Sequence, residues 1–188
     1  SGRRDRVMFR TLYNTGIRVS ELIKIKVSDV SLVDSPFVAV FGKGRKTRSI
    51  PLWKSTAKEL RKWIKECAGD ERSPLFPNSR GAPLTRSGVE YRLRLAVASA
   101  KKQTPLLKKR QVSPHVVRHT TAMHLLQSGV DITVIALWLG HESTATTHMH
   151  VEADLAMKER ALAKLNEPEG TSPRYRPPDK LLQFLENL

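Results

Sequence analysis

The chain has a single cysteine, Cys67, among 188 residues. No internal disulfide can form, and a thiolate zinc site has no second thiolate ligand, so a reducing cytosolic setting is expected. There is no apolar stretch of about 18 residues and no signal-peptide pattern, so neither a membrane-spanning helix nor export is supported. Six histidines are present, and His148 and His150 bracket Met149, but no HExxH motif occurs and no carboxylate cluster accompanies them. Neither a metal nor another cofactor is therefore expected. No internal repeat is visible. Acid is scarce as well: 18 Asp and Glu stand against 33 Lys and Arg, leaving +15 and a pI near 10.4. The basic residues are spread over several segments, which points to a polyanionic partner, usually nucleic acid. Net charge identifies no site by itself, and a plain basic domain remains the alternative.

What is present reads as one large domain, or a domain with a small satellite. Residues 5–14 (DRVMFRTLYN) predict a helix closed by Gly16, and a second helix covers about 19–26, placing Arg18 just after a tight corner. Two strand-like runs, 37–41 and 47–51, flank a Gly-rich turn and predict a hairpin with Lys43 at its tip. Helices follow at 54–67 and 85–100, separated by the turn-rich SPLFPNSRGAPL. After the basic loop KKQTPLLKKRQ, Ser113 and Pro114 open a helix to about 127 that Gly129 ends, and His115 and Arg118 share one of its faces. Asp131 caps a short helix carrying Ile132, Ile135, Ala136 and Leu139, with Gly140 as its stop, so His141 emerges at a helix end. A helical turn at 143–149 and a helix at 152–165 complete the domain, 1–165, in which Ser1 and Gly2 read as a cloning remnant. The Pro-rich 166–178 reads as a linker, and 179–188 as a helix whose Leu181, Leu182, Phe184, Leu185 and Leu188 must dock somewhere. Trp53, Trp63 and Trp138 read as core anchors, and His119 and His124 as packing or capping groups.

Cutting a phosphodiester without a metal needs cations on the nonbridging oxygens, an acid for the leaving oxygen and a nucleophile placed in line. Guanidinium matches two such oxygens bidentately, so Arg18 and Arg118 suit the clamp. Taken alone, each is as readily a surface arginine, and spacing does not say whether distant segments meet. Lys43 suits the acid, with Lys46 as its competitor and a solvated turn lysine as the plain alternative. His115 and His141 suit an acid, a base or a phosphate donor, since histidine as a residue type titrates near neutral pH, although lone histidines are more often structural.

In order, TGIRVSEL, GKGRKTRSIPL, SPHVVRHT and LGHES resemble the motifs of the tyrosine recombinase, or phage integrase, family over roughly residues 5–165. The resemblance implies a mainly α catalytic domain with a small antiparallel β-sheet, forming half of a C-shaped clamp on duplex DNA. It implies that Arg18 and Arg118 hold the scissile phosphate, that Lys43 is the mobile general acid, and that His115 and His141 occupy the two further catalytic positions. Arg45, Lys46 and Arg48 of the hairpin and Lys108, Lys109 and Arg110 of the basic loop are expected on DNA. Glu21 and Asp29 fall at recurrent family positions, where structural roles are expected. The family tail docks on a neighbouring protomer, which implies a tetramer on two DNA sites with the C-terminal helix exchanged in trans. Docking in cis remains open.

The family nucleophile is a tyrosine about nine residues after the LGH histidine, and at that place stands His150. Tyr13, Tyr91 and Tyr175 lie outside the motif. Three readings follow: an inactivated nucleophile position with binding intact, attack by the imidazole itself, or substitution by Tyr175; the first is preferred. The expected function is metal-independent, site-specific DNA recombination through a covalent 3'-phosphoprotein link, with this chain cleavage-deficient. The alternatives are a non-catalytic architectural DNA-binding protein of the same fold and a type IB topoisomerase-like enzyme.

Overall fold

In the computed structural model, residues 2–42, 47–67, 70–140 and 159–163 are described. Helix α1, Gly2–Thr15, presents Val7, Met8 and Leu12 inward at helical spacing, and all three are fully buried. It packs against α3 (Lys54–Cys67), α4 (Arg86–Gln103) and α5 (Pro114–Gln127). Gly16 ends α1 at φ +61°, a left-handed conformation that costs other residues more. The turn delivers Arg18 to the N-cap position of a short helix, α2 (Val19–Leu22).

Helix α2 stops well before the expected residue 26. The Ile25 carbonyl accepts from the Leu75 amide at 2.8 Å and Lys26 bridges to Pro74, so this stretch pairs with the 73–84 connection instead of continuing the helix. A 3-10 turn over Val27–Asp29 follows, with the Lys26 amide donating to Asp29 Oδ2 at 2.8 Å, a structural role of the kind expected for that aspartate.

The sheet is antiparallel in the order β1 (Val30–Ser31), β2 (Phe37–Phe41), β3 (Thr47–Pro51). The hairpin strands match the sequence expectation, while β1 is too short for a period-2 pattern to reveal. Val38 faces Ile50 and Val40 faces Arg48 across the ladder. Val38, Val40 and Ile50 are buried, so Arg48, two residues from Ile50, shares the inward face of β3.

Helix caps fall where the sequence puts them. Ser113 Oγ accepts from the Val116 amide at 3.2 Å to open α5, and Asp131 Oδ1 accepts from the Thr133 amide at 2.8 Å to open α6, Ile132–Leu139. Gly140 closes α6 at φ +73°. Helix α4 runs three residues past the expected 100, and Pro105–Leu107 form a 3-10 turn inside the expected basic loop. Residues 159–163 are helical, and Ala161 and Leu162 join the core. The expected linker, the C-terminal helix and Tyr175 lie outside the described residues.

Trp138 is fully buried and donates to the Thr15 carbonyl at 3.0 Å, tying α6 to the end of α1. Trp63, half-buried, donates to the Leu75 carbonyl at 2.8 Å, and Trp53 packs against Tyr13. His124 shares a 2.9 Å hydrogen bond between Nδ1 and Tyr13 OH, a packing role of the kind expected. The molecule is thus mainly helical with one small antiparallel sheet.

Candidate functional site

Two arginines one hundred residues apart in the sequence meet at one cleft of about 910 Å³. Arg118 rises from the second turn of α5 but is only 2% exposed. Its Nη1 donates to the Gly16 carbonyl at 2.7 Å and its Nη2 to the Leu139 carbonyl at 2.9 Å, so the ends of α1 and α6 fix its plane. Burial, helped by the charges of Arg18 and Arg48 and opposed by Glu21, pushes its pKa down to about 9, which leaves it cationic at neutral pH.

Arg18 keeps 41% of its side chain exposed at the same cleft. Its amide donates to Glu21 Oε2 at 2.9 Å, which secures the main chain while the guanidinium stays 3.8 Å from Glu21 Oε1. Burial alone would push the Glu21 carboxyl up, but hydrogen bonds and charge from Arg48, with the amide and charge of Arg18, hold it below the usual carboxylate value. Glu21 therefore stands as a structural anchor.

His115, exposed one turn before Arg118, also lines the cleft. Its Nε2 lies 2.5 Å from Nε2 of His119, with the rings edge to face. Burial first, then the charges of His115 and Arg118, pushes the His119 pKa down and favours a neutral partner ring. Sequence reasoning treated His119 as packing; the i, i+4 spacing from His115 was the signal for this pairing.

Arg48 departs from its expected place on DNA. Its guanidinium points inward, only 10% exposed, and donates to both Glu21 oxygens at 2.9 and 2.8 Å and from Nε to the Trp138 carbonyl at 3.1 Å. Strand alternation with Ile50 was the missed signal. In the basic loop, Lys108, Lys109 and Arg110 are all exposed, and of the three Arg110 lines the cleft. Lys43, Arg45, Lys46, His141 and His150 lie outside the described residues.

Helix α4 supplies a wall that sequence reasoning did not single out: Arg86, Glu90, Arg94 and Lys101 line the cleft. Their spacing of four, four and seven residues keeps them on one helical face. With Arg18, Arg110 and Arg118 the lining holds six cations against Glu90, itself paired with Arg86 at 3.4 Å. Such a cleft favours an anion with several negative oxygens. Among the described residues, no three His, Cys, Asp or Glu side chains are grouped to hold a metal ion, and no helix is long and apolar enough to cross a membrane.

The profile of the phage integrase family matches residues 1–156. A putative integrase/recombinase, y4rC, of Sinorhizobium fredii is 47% identical over 188 residues, covering 100% of this chain and 57% of its own. Tyrosine recombinase XerC of Halalkalibacterium halodurans is 39% identical over 80% of this chain and 51% of its own length. The chain thus spans about half the length of the curated relatives it matches. Among solved structures, the integrase from mycobacterium phage Brujita superposes with a TM-score of 0.76 at 23% identity, over 98% of this chain and 57% of that one. XerH site-specific recombinase bound to its difH substrate, in a pre-cleavage complex, gives a TM-score of 0.64 at 23% identity, over 85% and 42%.

Proposed function

We propose, from the premise that this chain belongs to the phage integrase family of tyrosine recombinases, that its cleft grips the scissile phosphodiester of duplex DNA. The observation that carries this reading is the meeting of Arg18 and Arg118, with His115, around one basic cleft. Arg118, fixed by two carbonyls, meets one nonbridging oxygen without reorganising, and Arg18, exposed, closes on the other. His115 stands where it can donate to the same phosphate or exchange a proton with it, and Lys43 protonates the leaving 5' oxygen. His141 completes the phosphate's hydrogen bonds. Duplex DNA as the ligand is supported by the XerH–difH complex and by the charge of the cleft.

In the family's chemistry, a tyrosine oxygen attacks phosphorus, the P–O5' bond breaks, and a 3'-phosphoprotein bond and a 5' hydroxyl result. Here His150 occupies that position in the sequence, and an imidazole is shorter than the phenol that in-line attack calls for. The chain therefore binds its site and stops before cleavage. Assembly as a tetramer on two DNA sites, with the 179–188 helix exchanged between protomers, belongs to the same reading.

A duplex nicked just beyond the cleavage position, whose released fragment diffuses away, tests this. The chain is expected to form no covalent adduct and its His150→Tyr version to form one. An adduct in neither, with duplex binding retained, would overturn the cleavage reading for this chain in favour of an architectural DNA-binding protein or of a missing partner domain. An adduct with His150 in place would overturn the claim of arrest.

A further inference from the structure

We infer that Arg48 is a positioning residue that keeps Arg18 available to the phosphate by occupying Glu21; the inference rests on the clamp reading above. A carboxylate only 8% exposed requires a cation, and two guanidinium groups lie within reach of this one. Arg48 takes both oxygens fork to fork, at 2.9 and 2.8 Å. The Arg18 guanidinium stays 3.8 Å from the same carboxylate, and 41% of the side chain is exposed. Each oxygen that Arg18 would grip already accepts from Arg48.

Arg48 holds this position from three sides. Its backbone sits in β3 opposite Val40, its Nε donates to the Trp138 carbonyl at 3.1 Å, and Gly140 lies so close that an added Cβ would stand 2.8 Å from its guanidinium carbon. Arg118 does not swing across to substitute for it, because the Gly16 and Leu139 carbonyls fix the plane of its guanidinium. Glu21 therefore has two separable tasks. It holds the Arg18 main chain through the 2.9 Å amide contact, and Arg48 prevents it from capturing the Arg18 side chain. Without Arg48, the nearest cation able to neutralise Glu21 is Arg18, which then folds down and leaves the cleft.

The test has two arms. In the ¹⁵N-labelled full chain, the Arg18 Nε–Hε resonance, assigned by its loss in Arg18→Lys, reports whether that guanidinium is ion-paired. Arg48→Met is expected to shift it, and Arg48→Met combined with Glu21→Gln to return it. Should Arg48→Met fail to fold, Arg48→Gln gives the same reading, since it removes the cation while keeping a side chain that can hydrogen-bond in the same place. An unmoved Arg18 resonance would overturn the inference. In the His150→Tyr background, Arg48→Met is expected to slow adduct formation on the nicked duplex about 10- to 100-fold at saturating protein. Added Glu21→Gln is expected to recover most of that rate although the protein is no more stable. Loss without recovery would mean that Arg48 acts only through stability, and the inference would fall. If no His150→Tyr chain forms an adduct, the cleavage reading fails, and the resonance arm alone decides the role of Arg48.

Discussion

Glu21 is the residue on which both the fold and the cleft rest. Its carboxyl titrates lower in the folded chain than the ordinary value near 4.5, so it contributes stability that is present above that value and lost as pH falls through its lower folded value. Urea titrations at pH 7 and at progressively acidic pH are expected to show this loss, and Glu21→Gln to remove its share of the pH dependence. At pH 7 the same substitution leaves the Arg48 guanidinium buried without its counter-ion and is expected to cost about 3–5 kcal/mol. Gly140→Ala belongs to the same network: at φ +73°, with the new methyl 2.8 Å from Arg48, it combines backbone strain with displacement of the guanidinium. Its expected signature is a lower melting temperature together with a shifted Arg18 resonance, whereas Gly81→Ala, also at positive φ but with nothing within 4 Å, should lower only stability.

Among the elements, those with chemical punctuation were legible and those set by distant pairing were not. Ser113, Asp131 and Gly140 each announce a helix boundary by local hydrogen bonding or φ, and the hairpin strands announce themselves by alternation. The local pattern overruns helix α2 because what ends it is the Leu75 amide, a partner about fifty residues away that no local pattern reveals. The inward turn of Arg48 lay half in view, since period 2 places it with Ile50, but its charge argued for the surface and its acidic partner comes from another element. Ser113 joins element to site, because its cap fixes the first turn of α5, where His115 stands. Ser113→Ala is expected to destabilise the chain by about 1 kcal/mol in chemical denaturation. Ser113→Asp, which restores the cap acceptor, should recover that loss.

For the whole molecule, the excess of 33 basic over 18 acidic residues becomes meaningful once six cations are seen around one cleft. Composition pointed to a polyanion, and the four ordered motifs named the arginines, but the α4 wall required the fold. Duplex affinity measured by fluorescence anisotropy is expected to fall linearly on a log–log plot against salt. Replacing Arg94 and Lys101 together by Gln should flatten the slope by about 2, since each phosphate no longer neutralised removes about 0.9. An unchanged slope would mean that the α4 wall does not touch DNA.

The carbonyls that seat Arg118 lie 102 residues before it and 21 after it in the chain. During synthesis, the first is waiting long before Arg118 is made, while the second, on Leu139, has yet to leave the ribosome when Arg118 emerges. A nascent chain that ends short of Leu139 carries all the charge of α1 and α4 but no seated arginine to grip with. The seat of Arg118 is thus withheld until α6 has been translated, so a partly made chain surrounded by messenger and ribosomal RNA has charge without a seated arginine.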